Sequence, residues 1–364
     1  MLLLYIFITI VLVNTVYFIL FSKFSFLRST KFTNNDSFPV SIIICAKNEA
    51  ENLKKNIPIW LAQEHPNFEI ILINDASTDD TKTVIESFAK DDDRIHTVNI
   101  ENNETFWSNK KYSLTLGIKR AFNKRMLFTD ADCTPASNQW LKLMTSPLNR
   151  EKELVLGYGA YKKESGLLNA LIRFETLMTA VQYFSYAKVG IPYMGVGRNL
   201  AYTSRLFYEN RGFMSHMNIP SGDDDLFVNE AATKENTSIC FHPDSFTISI
   251  PKTSFKTWFK QKRRHISTAN YYKSKHRFLL GFYYLSNLLF WLLAIVCLIF
   301  LDWKIPLAII IFRLLLQYIF IGNSTKLLKE RSLMPYLPVL EFFLVFLQLT
   351  IFISNKLVKP KRWK

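Results

Sequence analysis

The sequence predicts an α/β domain built on a mostly parallel sheet, carried between an N-terminal membrane helix and a C-terminal group of membrane helices. Three observations carry that reading. Four short β-branched runs, VSIIIC (40–45), EIILIN (69–74), RIHTVNI (94–100) and RMLFT (125–129), alternate with helix-length amphipathic stretches. Continuous apolar strands separated by helices imply a parallel sheet covered on both faces. Hydrophobic residues make up 49% of the chain, 31 of them Phe, and the mean hydropathy is slightly positive, more apolar than a purely soluble protein requires. That excess sits in four runs at 2–21, 279–301, 305–322 and 335–354.

Residues 2–21 carry no charge and are long enough to cross a hydrocarbon core of ~30 Å as a helix. Lys23, Arg28 and Lys31 follow, whereas a cleaved signal would carry its positive charge before the apolar run and a small-residue cleavage site after it. Residues 1–22 therefore read as an uncleaved anchor, with the next segment in the cytoplasm by the positive-inside rule. The expected division is an anchor (1–22), a catalytic α/β domain (38–250), a basic interfacial segment (251–278), a membrane region of two or three helices (279–354) and a basic tail (355–364). The location implied is the plasma (inner) membrane, multi-pass, with the α/β domain cytoplasmic.

The last three apolar runs conflict with that topology. Three crossings would carry Lys356, Lys359, Lys361, Arg362 and Lys364 to the outside, so either one run is interfacial or re-entrant or the charge rule fails here. Arg313, Gln317, Glu341 and Gln348 need partners within a bundle. Residues 166–188 are too polar to span, and read either as a helix lying against the membrane or as a buried core helix.

The net charge of +15 is clustered: between 252 and 277 there are nine Lys or Arg and no acidic residue. Because that segment directly precedes an apolar run, it points to membrane lipids and away from nucleic acid. Cys45, Cys133, Cys240 and Cys297 show no C-x-x-C spacing and read as free thiols.

The carboxylates carry the chemistry. Asp130-Ala131-Asp132 follows strand RMLFT, and side chains at i and i+2 of an extended segment point the same way, so both can meet one divalent cation. Hard oxygen donors suit Mg²⁺ or Mn²⁺. Asp75 ends strand EIILIN, where a carboxylate can accept from a nucleoside, while Ser77, Thr78 and Asp79 beyond it read as a helix N-cap. Lys47, Asn48 and Glu49 end strand VSIIIC in the same way. In Ser221-Gly222-Asp223-Asp224-Asp225 three adjacent carboxylates repel one another, which raises a pKa or demands cations. A base for an acceptor hydroxyl needs such a group.

In order and spacing, Pro39 to Ile44, Asn48-Glu49, Asn74 to Asp79, Asp130-Ala131-Asp132 and Gly222-Asp223-Asp224 resemble family 2 glycosyltransferases with the GT-A fold, a Rossmann-like, mostly parallel sheet. Gln261-Lys262-Arg263-Arg264-His265 is similar to the Q-x-x-R-W motif of the membrane-embedded members, the chitin, hyaluronan and cellulose synthase group. The resemblance covers roughly residues 38–270. It implies an inverting, metal-dependent transfer from a nucleotide sugar, expected to be a UDP-sugar, to a lipid-linked or glycan acceptor. Asp75, with Asn48 and Glu49, would hold the nucleotide. Asp132, helped by Asp130, would bind Mg²⁺ or Mn²⁺ on the diphosphate, and Asp224, with Asp223 in the Glu position of the base motif, would act as catalytic base. Lys110 or Lys111 stands where the family has a Gly-Lys, although Asn109 replaces the glycine. Gln261, Arg264 and His265 would complete donor binding.

His265 in place of Trp, and Asp223 in place of Glu, weigh against long-chain polymerisation. A processive polysaccharide synthase is the alternative within the family, and a non-catalytic membrane protein binding anionic lipids the alternative outside it. Gly195-Val196-Gly197-Arg198-Asn199-Leu200 lacks the dinucleotide spacing and is expected to shape the acceptor pocket.

Overall fold

A computed structural model describes residues 1–28, 38–101, 110–219 and 221–358. Asn109 and the part of the basic tail beyond residue 358 lie outside them. The chain forms two compact units, a sheet unit from residues 38–162 and 190–251 and a helical unit from residues 1–28, 163–189 and 252–358.

Among its described residues the sheet unit has ten strands: β1 (Val40–Ala46), β2 (Phe68–Asp75), β3 (Ile95–Ile100), β4 (Arg125–Phe128), β5 (Cys133–Pro135), β6 (Leu154–Leu156), β7 (Gly159–Tyr161), β8 (Leu200–Thr203), β9 (Thr237–Ile239) and β10 (Thr247–Ser249). Seven of them form the main sheet in the order β3-β2-β1-β4-β8-β6-β9, and β5-β10-β7 form a small second sheet. β3, β2, β1 and β4 are mutually parallel, while β8 runs antiparallel to β4 and β6. The four runs read from the sequence are the four parallel strands.

Their continuous apolar character follows from burial on both faces. Ile42, Ile44, Ile70 and Leu72 pack with Leu53, Ile57 and Trp60 of helix Ala50–Leu61 and with Val84 and Ile85 of helix Thr81–Asp91. On the opposite face Gly117 of helix Lys110–Arg120 lies so close that an added Cβ would stand 2.3 Å from Ile73 Cδ1. This close approach brings the Lys110 end of that helix down toward the carboxyl ends of β1 and β2. Strand order reverses between β1 and β4, and ligands of open α/β sheets bind in the crevice at such a point.

In the helical unit four segments among the described residues are long and apolar enough to cross a membrane: Leu2–Ser25, Ser274–Phe300, Lys304–Leu327 and Arg331–Leu357. Leu12, Val16, Leu285, Ile295, Ile311 and Leu315 on them are exposed, as lipid-facing residues would be. The Lys304–Leu327 helix continues past the expected end at 322 because Ser324 and Thr325 are satisfied inside the unit. Ser324 Oγ lies 2.8 Å from Ser25 Oγ, and Thr325 Oγ1 donates to the Gly322 carbonyl.

Of the polar residues on these apolar helices, Arg313 and Glu341 find each other: Arg313, fully buried, donates to Asn14 Oδ1 (3.1 Å), Asn287 Oδ1 (2.8 Å) and Glu341 Oε1 (2.8 Å), whereas the equally buried Gln317 finds no hydrogen-bond partner for its side-chain amide among the described residues. For residues 166–188 the structure has the buried alternative. Helix Leu167–Lys188 stacks Phe184 on Phe24 with ring centroids 4.9 Å apart, and its Arg173 pairs with Glu330.

Helix Phe255–Thr268 carries the basic segment and is capped by Ser254 Oγ accepting from the Thr257 N–H. Two of its cations are engaged with protein groups instead of lying free for headgroups. Lys262 pairs with Glu175 at 2.5 Å, and Arg263 Nε donates to Asn355 Oδ1 at 2.8 Å.

Candidate active site

At the carboxyl ends of β1 and β4 a cleft is lined by Ile43 and Phe128 from the strands and by Thr129, Lys110, Asp130, Asp223 and Asp224. β4 stops at Phe128, Thr129 Oγ1 donates to the Arg198 carbonyl at 2.9 Å, and the chain turns with the Cys133 N–H donating to the Asp130 carbonyl at 3.0 Å. Asp130 and Asp132 therefore sit on a tight turn, a correction to the extended i, i+2 geometry expected. The turn still gathers them: one carboxylate oxygen from each and Cys133 Sγ lie within 4.8 Å of one another.

Burial and the neighbouring Asp130 push the Asp132 carboxyl above the usual range, and the Arg198 guanidinium opposes them. A carboxylate whose anion is disfavoured by burial and by a second carboxylate beside it is a fit for a divalent cation with hard-donor preference. The Cys133 thiol is not such a donor. Burial first, then Asp132, hold its pKa well above the ordinary value, and its Sγ lies 3.0 Å from Ser249 Oγ.

Lys110 joins two motifs far apart in sequence: its Nζ is 2.7 Å from Asp130 Oδ1 and 3.0 Å from Asp223 Oδ2. Burial works against its charge, but the two carboxylates outweigh it and hold the ammonium well above the ordinary lysine value. Lys111 turns away and donates to the carbonyls of His216 (2.6 Å) and Ile219 (3.0 Å), which anchors the loop leading to Ser221. Burial lowers its pKa to about 8 against the pull of Asp223, Asp225 and Asp224.

Gly222 takes a left-handed φ of +94° and swings the chain into helix Asp225–Ala231. At that entry Asp224 accepts from the Gly197 N–H (2.6 Å) on Oδ2 and from the Asp225 N–H (2.8 Å) on Oδ1. Burial, Asp223 and Asp225 push its pKa up to about 7, while the Gly197 bond pulls the other way. Asp223 behaves oppositely: burial would raise it, but Lys110 holds it below the usual carboxylate range. Adjacent carboxyls are thus pushed apart, one held below the usual carboxylate range and the other brought up to about 7, the arrangement that separates acid–base roles in one site.

At the tip of β2, Asp75 Oδ1 accepts from Ser113 Oγ at 2.6 Å. Asn48, at φ 57°, laces the ends of β1 and β2 together: its N–H donates to Ser77 Oγ (3.0 Å) and its Oδ1 accepts from the Thr78 N–H (2.8 Å). Ser77 and Thr78 therefore serve this lacing instead of capping the following helix; its N-cap position is Asp80, whose side chain makes no capping bond, and Asp79 just before it accepts from the Thr81 N–H at 3.0 Å. The Glu49 N–H donates to Thr81 Oγ1 and its carboxylate accepts from Asn52.

Gln261, Arg264 and His265 lie on helix Phe255–Thr268 of the helical unit. Two contributors to the site were not anticipated. Ser113 stands three residues after Lys110, hence on the same helix face, and Arg198 lies inside the glycine-rich stretch expected to shape an acceptor pocket. The Arg198 guanidinium sits 4.3 Å from the Tyr161 ring centroid and donates to the Ala160 carbonyl at 3.2 Å.

Residues 41–202 match the family described as Glycosyl transferase family 2. They are a family 2 glycosyltransferase domain. Among curated relatives, poly-beta-1,6-N-acetyl-D-glucosamine synthase of Staphylococcus epidermidis is 33% identical over 189 residues, 48% of this chain and 45% of that protein. Glycosyltransferase AglE of Haloferax volcanii is 27% identical over 112 residues, 30% of this chain and 35% of that protein. The chain thus spans less than half the length of these relatives. The mannosyltransferase PcManGT of Pyrobaculum calidifontis, solved with GDP-Man and Mn²⁺, superposes with a TM-score of 0.59 over 93% of this chain and 99% of its own at 15% identity, a likeness of fold. Asp75, Lys110, Asp130 and Asp132 of the glycosyltransferase domain fall inside the matched segment, whereas Asp223 and Asp224 lie just beyond it.

Proposed function

We propose that the protein is a membrane-bound, inverting glycosyltransferase that moves a sugar from a nucleotide donor, a UDP-sugar by preference, onto a hydroxyl of a lipid-linked or glycan acceptor. The observation that carries this reading is the convergence, on one cleft, of a crowded carboxylate pair (Asp130, Asp132) and a carboxyl that titrates near pH 7 (Asp224). A non-catalytic lipid binder has no use for that constellation.

In this reading Asp130 and Asp132 hold a divalent cation, which when bound supplies positive charge to the donor's diphosphate. Asp75, positioned by Ser113, accepts hydrogen bonds from the nucleoside. Asp224 takes the proton of the acceptor hydroxyl as its oxygen bonds to the anomeric carbon, while the bond from that carbon to the diphosphate oxygen breaks and the nucleoside diphosphate leaves with the electron pair. A single displacement inverts the carbon and needs no covalent intermediate. Asp223 stays ionised against Lys110, and the Gly197 N–H fixes the rotamer of Asp224. For Gln261, Arg264 and His265 the donor-binding role rests on the family resemblance alone.

Membranes carrying the protein, supplied in turn with UDP- and GDP-sugars, are expected to release nucleoside diphosphate from one donor, and the Asp224→Asn variant to release none above background. No release from any donor, or equal release by the variant, overturns the reading. The polysaccharide named for the Staphylococcus relative makes a processive synthase the second reading. Product length separates it from single addition.

A further inference from the structure

We infer that the last apolar segment does not cross the membrane but forms a re-entrant hairpin, which enters and leaves on the side where the first apolar helix ends. This rests on the membrane-bound reading. Lateral contacts within the helical unit give the relative depth of every segment. The first helix (Leu2–Ser25) and the second (Ser274–Phe300) run antiparallel: Tyr17 OH donates to the Leu279 carbonyl, and Phe7 stacks on Phe290. The third (Lys304–Leu327) runs back beside the first, with Arg313 at Asn14, Phe320 on Phe18 and Ser324 at Ser25. Three segments therefore give three crossings.

The fourth does not continue the series. After Leu327 the chain reverses, the Glu330 N–H donating to the Thr325 carbonyl at 2.7 Å, and climbs back along the third helix. Met334 reaches Gly322, Tyr318 OH donates to the Pro335 carbonyl at 3.3 Å, and Glu341 meets Arg313. Helix Leu337–Leu357 then descends along the second helix: Phe342 packs on Trp291, and Tyr284 OH donates to the Val345 carbonyl while its ring packs on Phe352. It ends with Asn355 bonded in both directions to Arg263, on the helix that immediately precedes the second crossing.

The lengths agree. At 1.5 Å per residue, Arg313 lies about 21 Å from the end of the third helix at Leu327, and Glu341 about 24 Å from the end of the last helix at Leu357. The apex at Leu337 stands one turn beyond Glu341, so the descending helix measures about 30 Å from Leu337 to Leu357, and the hairpin reaches deep into the hydrocarbon core before it returns. The expectation that one run is interfacial or re-entrant is thereby narrowed to the segment 328–358. Lys356 joins Lys23 and Arg28 on one side, in keeping with the charge rule.

The test places single cysteines at Lys275, Trp303 and Lys356, with Val358→Cys as a second reporter of the last position. Each is probed in sealed vesicles with a membrane-impermeant maleimide before and after permeabilisation, the parent's native cysteines giving the background. Lys275→Cys and Trp303→Cys are expected to label from opposite sides, and Lys356→Cys from the side of Lys275→Cys. Labelling of Lys356→Cys and Val358→Cys from the side of Trp303→Cys overturns the hairpin in favour of a fourth crossing. Labelling of Lys275→Cys and Trp303→Cys from one side removes the membrane-bound reading, and the hairpin with it.

Discussion

Asp224 is half protonated near neutral pH while Asp223, one residue earlier, is not, and the difference lies in what each oxygen faces. Lys110 compensates Asp223, whereas Asp224 has two backbone N–H groups and two anionic neighbours. A base must be unprotonated to act, so turnover is expected to rise with pH and level off above about 7, the value to which Asp224 is pushed. A pH–rate profile flat from 5 to 8 would remove Asp224 from the base role. Asp224→Asn should lose on the order of 100-fold or more in turnover with donor affinity kept, because the diphosphate is held elsewhere. For Asp132→Asn the expected loss is of similar order, on the order of 100-fold, accompanied by weaker dependence on added Mg²⁺ or Mn²⁺. A metal titration of the variant against the parent checks it. The same raised pKa bears on stability with the opposite sign. Asp224 folded binds its proton more tightly than unfolded, so its contribution is fullest below the ordinary aspartate range and is lost as pH rises through about 7.

At the scale of elements, the four parallel strands were legible because burial on both faces leaves β-branched runs that no helix period can mimic. The Asp130 turn was legible as a pair of ligands but not as a turn. Nothing in RMLFT announces that β4 stops at Phe128, since that depends on Thr129 finding the Arg198 carbonyl. Lys110 was read as a donor contact, but its bridge from Asp130 to Asp223 joins residues that only the fold brings together. The helix that carries it is seated through Gly117, so Gly117→Val should force the helix off Ile73 and Ile43 and lower stability by about 1–3 kcal/mol. Thermal unfolding of the variant reports that loss, and an unchanged midpoint would mean the helix can slide without cost. Among the apolar helices, Glu341→Ala leaves the Arg313 guanidinium short of its anion and is expected to cost about 3–5 kcal/mol. The double change Arg313→Leu with Glu341→Leu should recover most of it, since a buried pair exchanged for apolar groups is close to neutral. Detergent-resistant folding of the three proteins, read by heating and gel filtration, separates these outcomes.

At the scale of the whole molecule, the two units distribute their apolar residues as two solvents, water and the proposed lipid, would require. The sheet unit buries its apolar strands in the ordinary way, whereas the helical unit leaves Leu12, Val16, Leu285 and Leu315 exposed and turns Arg313, Asn14 and Glu341 inward. Hydropathy made the apolar helices legible, but not their connectivity. A 20-residue apolar run has the same composition whether it crosses or folds back, and only the side contacts at Tyr318, Tyr284 and Arg263 distinguish the two. The protein should resist extraction by high salt or alkali and require detergent. Release into the aqueous phase by alkaline carbonate would contradict its placement in lipid.

The Arg313–Glu341 pair also imposes an order in time. In a membrane-bound protein, Arg313 would enter the bilayer during synthesis while Glu341, 28 residues later in the chain, is still within the ribosome. Until Glu341 arrives, the nascent protein holds a cation in hydrocarbon with only Asn14 and Asn287 to receive its hydrogen bonds. If the proposed hairpin is right, biogenesis has a vulnerable interval that ends only when the final segment tucks back and neutralises the charge. A chain stopped at Leu328 should insert yet be recognised as unfinished and degraded. Pulse-chase turnover of that truncated chain, compared with the same truncation carrying Arg313→Leu, should show the second surviving longer, because it has no charge waiting for a partner.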